Sequence, residues 1–68
     1  MKQVSGKVFL KIASAHGWAL DRTKGSHHIM IKDGVEEILV IPVHGSKPLK
    51  TGTLRSLMKV VGITESDL

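Results

Sequence analysis

The sequence predicts a single small α+β domain in which a helix, three antiparallel strands and a second helix follow one another. Apolar residues recur at helical spacing near both ends of the chain, whereas short alternating or apolar runs typical of strands occupy the middle. An Asp-Gly pair between two of these runs indicates a tight turn. Because 68 residues suffice for only one core, residues 1–68 are expected to form one domain.

The composition is that of a basic chain without cysteine. Ten Lys and Arg against six Asp and Glu give a formal net charge of +4, which suits an anionic polymer such as nucleic acid or else a plain solvated surface. The absence of cysteine removes disulfides and thiolate zinc sites, and it fits a reducing cytosol. No run approaches the ~20 apolar residues of a membrane span, and no signal-peptide core is present. A soluble, cytoplasmic protein is therefore expected.

The first helix is predicted to begin after Ser5, a favourable N-cap, and to end at Gly17. Val4 can pack against Phe9 as a hydrophobic staple across this start. The apolar stripe of the helix consists of Val8, Phe9, Ile12 and Ala13. His16, in the last turn, is expected to be a surface residue.

Two strands are predicted over Trp18–Arg22 and His27–Lys32, with a turn at residues 23–26 between them. Alternation along the second strand places His27, Ile29 and Ile31 on one face and His28, Met30 and Lys32 on the other. The two isoleucines are expected to mark the core face. His28 is therefore predicted to lie on the open face of the sheet, and His27 on the core side.

The third strand is predicted over Ile38–Ile41, after the turn at Asp33-Gly34. The sequence does not determine the register of this strand relative to the second strand. A two-residue loop would place Leu39 across from His28, whereas a three-residue loop would place Val40 there. The apolar run does not decide between these two alternatives.

Pro42 is expected to end the third strand because proline cannot donate to the ladder, and residues 43–48 are predicted to form a loop. The second helix is predicted to start with Thr51 or Thr53 as its cap and to stop at Gly62. Its apolar stripe consists of Leu54, Leu57, Met58 and Val61. Two short helices can cover only one face of a three-stranded sheet, so the other face is expected to meet solvent or a partner.

His28 is the candidate catalytic residue. Histidine, with an unperturbed pKa of about 6.5, can give and take protons near neutral pH. A histidine on a rigid strand beside cations that hold a phosphate suits general acid-base cleavage of a phosphodiester. His27 is expected to support it by satisfying a buried backbone group. The two histidines cannot share a metal ion because they point to opposite faces, and no metal site is predicted.

Candidate phosphate contacts follow the third strand. In an antiparallel hairpin His44 returns to the neighbourhood of His28, where it would bind phosphate, assist proton transfer or simply lie exposed. Lys50 stands at the predicted start of the second helix, an end that suits a phosphate but is also an ordinary cap. Leu49 occupies the place of the glycine that a nucleotide-binding loop requires, so ATP or GTP binding is rejected.

Five short motifs follow one another over nearly the whole chain, and they are Gly17-Trp18, Gly25-Ser26-His27-His28-Ile29, Pro42-Val43-His44-Gly45, Gly52-Thr53-Leu54-Arg55 and Gly62-Ile63. In the order and spacing of these motifs the chain resembles the HicA toxins of bacterial HicA-HicB toxin-antitoxin pairs. The resemblance implies a fold like that of double-stranded-RNA-binding domains, with both helices on one face of the sheet. It also implies a metal-independent endoribonuclease without a cofactor, which cleaves messenger RNA and arrests growth until a HicB-like antitoxin covers it.

The resemblance places the catalytic histidine of the Gly-Ser-x-His motif at His28. The residues expected to assist are His27, His44 and Ser26, and the cations expected to neutralise RNA phosphates are Lys24, Lys32, Lys50 and Arg55. His28 would act as general base or acid while a ribose 2′-hydroxyl attacks its adjacent phosphate. Met30 stands where an aromatic residue is common in the family, which weakens the case for base stacking. The alternative is a non-catalytic RNA-binding or protein-docking module that uses the open sheet face.

Overall fold

The computed structural model describes residues 2–68 and confirms the predicted α+β fold. Its elements are α1 (Gly6–Ala15), β1 (Ala19–Lys24), β2 (His27–Ile31), β3 (Leu39–Pro42), α2 (Thr51–Val61) and a short 3-10 helix (Glu65–Asp67). The three strands form one antiparallel sheet in the order β1-β2-β3. Within residues 2–68, no helix has the length and apolar character that crossing a membrane requires.

Helix α1 begins and ends where the sequence predicts. The Ser5 hydroxyl accepts a hydrogen bond from the Val8 amide at 3.1 Å, and Gly17 leaves the helix in a left-handed conformation with φ 91°. The buried residues of the helix are Gly6, Phe9 and Ala13. The assignment of Val8 to the core stripe was wrong, because its side chain lies beside that buried line and is 47 % exposed.

Gly6 sets the distance between α1 and the end of β3. A Cβ atom at this position would overlap the carbonyl oxygen of Pro42 and would lie 3.2 Å from the Val43 Cα. Glycine therefore allows the first turn of the helix to rest directly on the backbone of the sheet. Next to it, Ser5 forms a bridge with Pro48, which joins the start of α1 to the loop before α2.

Strand β1 is longer than predicted and leaves only Gly25-Ser26 for the turn. Thr23 and Lys24, which were expected in the turn, pair with His28 and His27. The strand contains an irregularity between Leu20 and Arg22, and all six of its residues are exposed. Strand β1 is thus an open edge of the sheet.

The prediction of which face of strand β2 packs against the core was wrong. Met30 is paired with Leu39, and His28 is paired with Ile41. Because residues directly opposite each other in an antiparallel pair share a face, and because Leu39 and Ile41 are completely buried, His28 and Met30 lie on the side covered by the helices. Ile31 is 41 % exposed, as expected for the uncovered side.

The cause of this error is that β2 carries apolar residues on both faces. Ile29 pairs with Val40, which is 40 % exposed, and Ile29 does not join the core cluster beneath the helices although it is itself buried. The isoleucines therefore mark the open face, while the more flexible Met30 fills the core with only 2 % exposure.

Both registers considered for β3 were also wrong, because Ile41 stands across from His28. The turn at Asp33-Gly34 forms as expected, with the Val35 amide donating to the Lys32 carbonyl at 3.1 Å. Residues 35–38 then remain outside the ladder, and β3 starts only at Leu39. The loop between β2 and β3 is thus longer than a tight hairpin.

Helix α2 packs its apolar stripe on the same side of the sheet as α1. Its start differs from the prediction, since Lys50 is the N-cap residue, no side chain caps the first turn, and Thr51 is already helical. Gly62 ends the helix in a left-handed conformation with φ 84°, as predicted. The core between the helices and the sheet consists of Val4, Phe9, Ala13, Trp18, Met30, Leu39, Ile41, Leu49, Leu54, Leu57, Met58 and Ile63.

Candidate functional site

His28 occupies the second position of β2, between Thr23 on β1 and Ile41 on β3. The residue is half-buried on the helix side of the sheet, and its Nδ1 atom is shielded from solvent. No atom within residues 2–68 forms a hydrogen bond with this nitrogen. A histidine that serves only the fold normally ties its buried nitrogen to a backbone or side-chain group. Among the described residues, Trp18 Nε1 is likewise buried without a partner, so the free nitrogen is compatible with a functional role for His28 but does not by itself set His28 apart from the core.

His27 lies on the opposite face. Its side chain is exposed, with Lys24 across from it on one side and Pro42 on the other. Its predicted place on the core side was therefore wrong. The two histidines do point to opposite faces, as predicted. Among residues 2–68, no group of three or more His, Asp or Glu side chains is placed to hold a metal ion.

The end of β3 returns to the start of β2, as the sequence predicts. The Ser26 carbonyl accepts a hydrogen bond from the Val43 amide at 2.8 Å, which extends the ladder one residue beyond Pro42. This bond brings His44 close to the turn that precedes the two histidines. The contact that Ser26 makes here is through its backbone.

His44 lines a cleft of about 740 Å³ between the end of β3 and the start of α2. We call this the basic cleft, because the basic and hydroxyl side chains that line it are Lys2, His44, Lys47, Lys50, Thr51 and Thr53. The first amide groups of α2 have no side-chain cap and add partial positive charge at the same place. Together these groups suit an anion such as a phosphate. His28 is not among the residues that line the cleft.

The four cations predicted to contact RNA are dispersed. Lys50 lines the basic cleft, whereas Lys24 lies on the open face across from His27. The Lys32 side chain lies over Gly17, where an added Cβ would be 3.2 Å from its Cε atom; this position suits the negative end of α1. Arg55 is exposed on α2.

Sequence reasoning missed two cations of the basic cleft, Lys2 and Lys47. Lys47 belongs to the segment that leads into α2. Because it is close to Lys50 in the sequence, it could have been predicted to line the same site. Lys2 gave no signal because it is remote in sequence. Its Nζ atom donates to the Leu68 carbonyl oxygen at 2.9 Å, which holds it near the other end of the described chain.

A comparison with sequence models of protein families found one whose description reads HicA toxin of bacterial toxin-antitoxin, and it matches residues 6–63. The matched region runs from the first residue of α1 to just beyond α2, so it contains the whole sheet and His28. A search of curated proteins found no match. Since the family match covers residues 6–63 of a 68-residue chain, this protein belongs to the HicA toxin family of bacterial toxin-antitoxin systems.

Proposed function

We propose that this toxin is a metal-independent endoribonuclease that cleaves messenger RNA in the cytoplasm, with His28 as the catalytic residue and a HicB-like antitoxin as its inhibitor. The observation that supports this proposal most strongly is the position of His28 and the lack of a hydrogen-bond partner for its buried nitrogen within residues 2–68. Its Nδ1 atom has no hydrogen-bond partner within the described chain, although the residue is held on a central strand within the matched region. A strand paired on both sides holds the backbone that carries the ring in a fixed place, which favours proton transfer at a defined position.

The proposed step uses the 2′-hydroxyl of RNA as the nucleophile. His28 accepts the 2′-hydroxyl proton while the 2′-oxygen forms a bond to the adjacent phosphorus. The bond from phosphorus to the 5′-oxygen of the next nucleotide breaks, and that oxygen takes a proton from water or a second acid. The products are a 2′,3′-cyclic phosphate and a 5′-hydroxyl. General acid-base catalysis contributes about 10² to 10⁴-fold, so a modest nuclease is expected.

The basic cleft supports contact with the RNA backbone beyond the cleaved bond. Lys47, Lys50 and His44 would neutralise phosphates there, and His44 remains a candidate for the second acid. Lys24, Lys32 and Arg55 lie elsewhere on the surface, so they would contact phosphates at separate points of a longer RNA. Both aromatic side chains, Phe9 and Trp18, are buried, which favours backbone contact over base stacking.

The alternative function, RNA binding without cleavage, is favoured by one observation. The cleft that suits phosphate does not include His28, so an RNA could be held there without meeting the proposed catalytic group. Such binding would weaken steeply with salt while the RNA remained intact.

Incubating the purified protein with an RNA and with a DNA of the same sequence, in excess EDTA, separates the two functions. The proposal predicts that the RNA is cut to 2′,3′-cyclic phosphate ends and that the DNA stays whole, since DNA lacks the attacking hydroxyl. RNA that is bound but uncut would support the alternative. Cleavage of both polymers at equal rates would contradict a 2′-hydroxyl mechanism.

A further inference from the structure

His28 is covered unequally by its two neighbouring strands. Ile41, across from it on β3, is completely buried, whereas Thr23, across from it on β1, is exposed. The difference arises because both helices pack mainly against β3. Leu20, which shares the helix side of β1 with Thr23 through its pairing with Met30, is 54 % exposed. The helix side of β1 is therefore uncovered at these two positions, and it borders His28.

The two ring nitrogens of His28 have different surroundings. Nδ1 is buried and has no hydrogen-bond partner among residues 2–68. Nε2 also forms no hydrogen bond with the described chain, but it is not one of the buried nitrogens, so it reaches solvent. Nε2 is therefore the ring atom that is open to a substrate.

Thr23 carries the polar group that lies directly across from His28. Its partner position on the other side, Ile41, offers only an apolar side chain. Residues directly opposite each other in an antiparallel pair share a face, with Cβ atoms about 4.5–5.5 Å apart. The Thr23 hydroxyl is a hydrogen-bond donor that is unused within residues 2–68. A phosphate bound at Nε2 would thus have a free donor close by on the same face.

We propose that Thr23 is a second residue of the cleavage site, whose hydroxyl donates a hydrogen bond to a non-bridging oxygen of the phosphate that is cleaved beside His28. The hydroxyl keeps its proton, so it is neither the nucleophile nor the acid for the leaving group. It holds the phosphate next to Nε2 and stabilises the negative charge that develops on the non-bridging oxygens. The inference rests on the proposed function, because it takes His28 as the catalytic residue.

Thr23 also suits the strand itself, since β-branched side chains favour strands. Two substitutions separate this structural role from the proposed one. Thr23→Val keeps the β-branched shape and removes the hydroxyl, whereas Thr23→Ser keeps the hydroxyl and removes the methyl group. A purely structural role predicts that Thr23→Val matches the wild-type chain and that Thr23→Ser is the weaker variant. The proposed role predicts the reverse order of cleavage rates.

The test measures cleavage, in excess EDTA, of an RNA that has one 2′-hydroxyl among 2′-O-methyl nucleotides and therefore one cleavable bond. Thr23→Val is expected to lower kcat/KM about 10- to 100-fold, the effect of losing a hydrogen bond to a charged group. Thr23→Ser should retain most of the activity. Ala19→Val, at an exposed position on the other face of β1, is the control and should leave the rate unchanged.

Sulfur substitution at the cleaved phosphate provides a readout that a structural role would not change. Each non-bridging oxygen is replaced in turn, which gives the Rp and Sp phosphorothioates. Because sulfur is a weak hydrogen-bond acceptor, the wild-type chain should cleave one isomer more slowly than the other. Thr23→Val should reduce that difference between the isomers. An isomer ratio that Thr23→Val leaves unchanged would overturn the contact with a non-bridging oxygen.

Circular dichroism reports whether each variant folds, and Thr23→Ala replaces Thr23→Val if the latter does not. A folded Thr23→Val that cleaves at the wild-type rate, while His28→Ala is inactive, would overturn the role of Thr23 and leave the proposed function standing. Equal losses for Thr23→Val and Thr23→Ser would likewise exclude the hydroxyl as the cause. Full activity of His28→Ala would instead contradict the proposed function, and the inference would fail with it.

Discussion

His28 stands directly across from Ile41 in the β2-β3 ladder, and Ile41 is completely buried under the two helices. The candidate catalytic residue therefore lies on the covered side of the sheet. Its ring is half-buried there, with Nδ1 shielded and without a partner in the described chain.

Paired truncations test which face of β2 is covered. Met30→Ala removes a side chain that is 2 % exposed and packed in the core, so it should lower the free energy of unfolding by about 2–5 kcal/mol. Ile31→Ala, at a side chain that is 41 % exposed, should cost less than about 1 kcal/mol. Urea denaturation measures both values. A larger loss for Ile31→Ala would contradict the facing of the strand.

Gly6 provides a test of how closely α1 approaches β3. Gly6→Ala would press a methyl group against the Pro42 carbonyl, and we expect a loss of about 1–3 kcal/mol in unfolding free energy. The matched control is Gly52→Ala in the first turn of α2, where an added Cβ meets open space. That change should stabilise the protein by up to about 1 kcal/mol through helix propensity. Equal effects of the two changes in thermal unfolding would refute the close approach.

The order of elements and most helix ends could be predicted because they depend on local signals. Ser5, Gly17 and Gly62 act within one or two residues of the bonds that they make. The buried face of β2 and its register with β3 could not be predicted from the sequence, because both faces of β2 are apolar and residues 35–38 lengthen the loop. Those features depend on which long-range pairing buries Leu39 and Ile41, and alternation within one strand does not contain that information.

The candidate site was predictable to a similar extent. The Gly-Ser-x-His motif predicts His28 as a candidate, but a local pattern could not show that Lys50 lines a cleft whose lining does not include His28. The basic cleft joins Lys2, Lys47 and the start of α2, segments that are distant in sequence. The Ser5-Pro48 bridge and the hydrogen bond from the Leu49 amide to the Val4 carbonyl at 2.8 Å join these segments, and no sequence pattern predicts either contact.

The lysines of the basic cleft should contribute to RNA affinity through phosphate contact. Lys50→Ala and Lys47→Ala should each weaken binding of uncleavable 2′-O-methyl RNA regardless of its sequence, and each should lower the salt slope by about 1. Lys11→Ala, at an exposed position of α1, is the control and should change neither quantity as much. Fluorescence anisotropy at several salt concentrations gives affinity and slope together. Slopes that stay at the wild-type value would exclude the cleft as a phosphate site.

Catalysis by His28 is tested most directly by the rate at which the wild-type chain and its His28→Ala variant cleave a defined RNA in excess EDTA. Removing a general acid-base group should slow cleavage at least about 100-fold. His16→Ala, at an exposed histidine at the end of α1, controls for the general effect of losing a histidine and should leave the rate unchanged. A folded His28→Ala variant that cleaves the RNA at the wild-type rate would contradict the assignment.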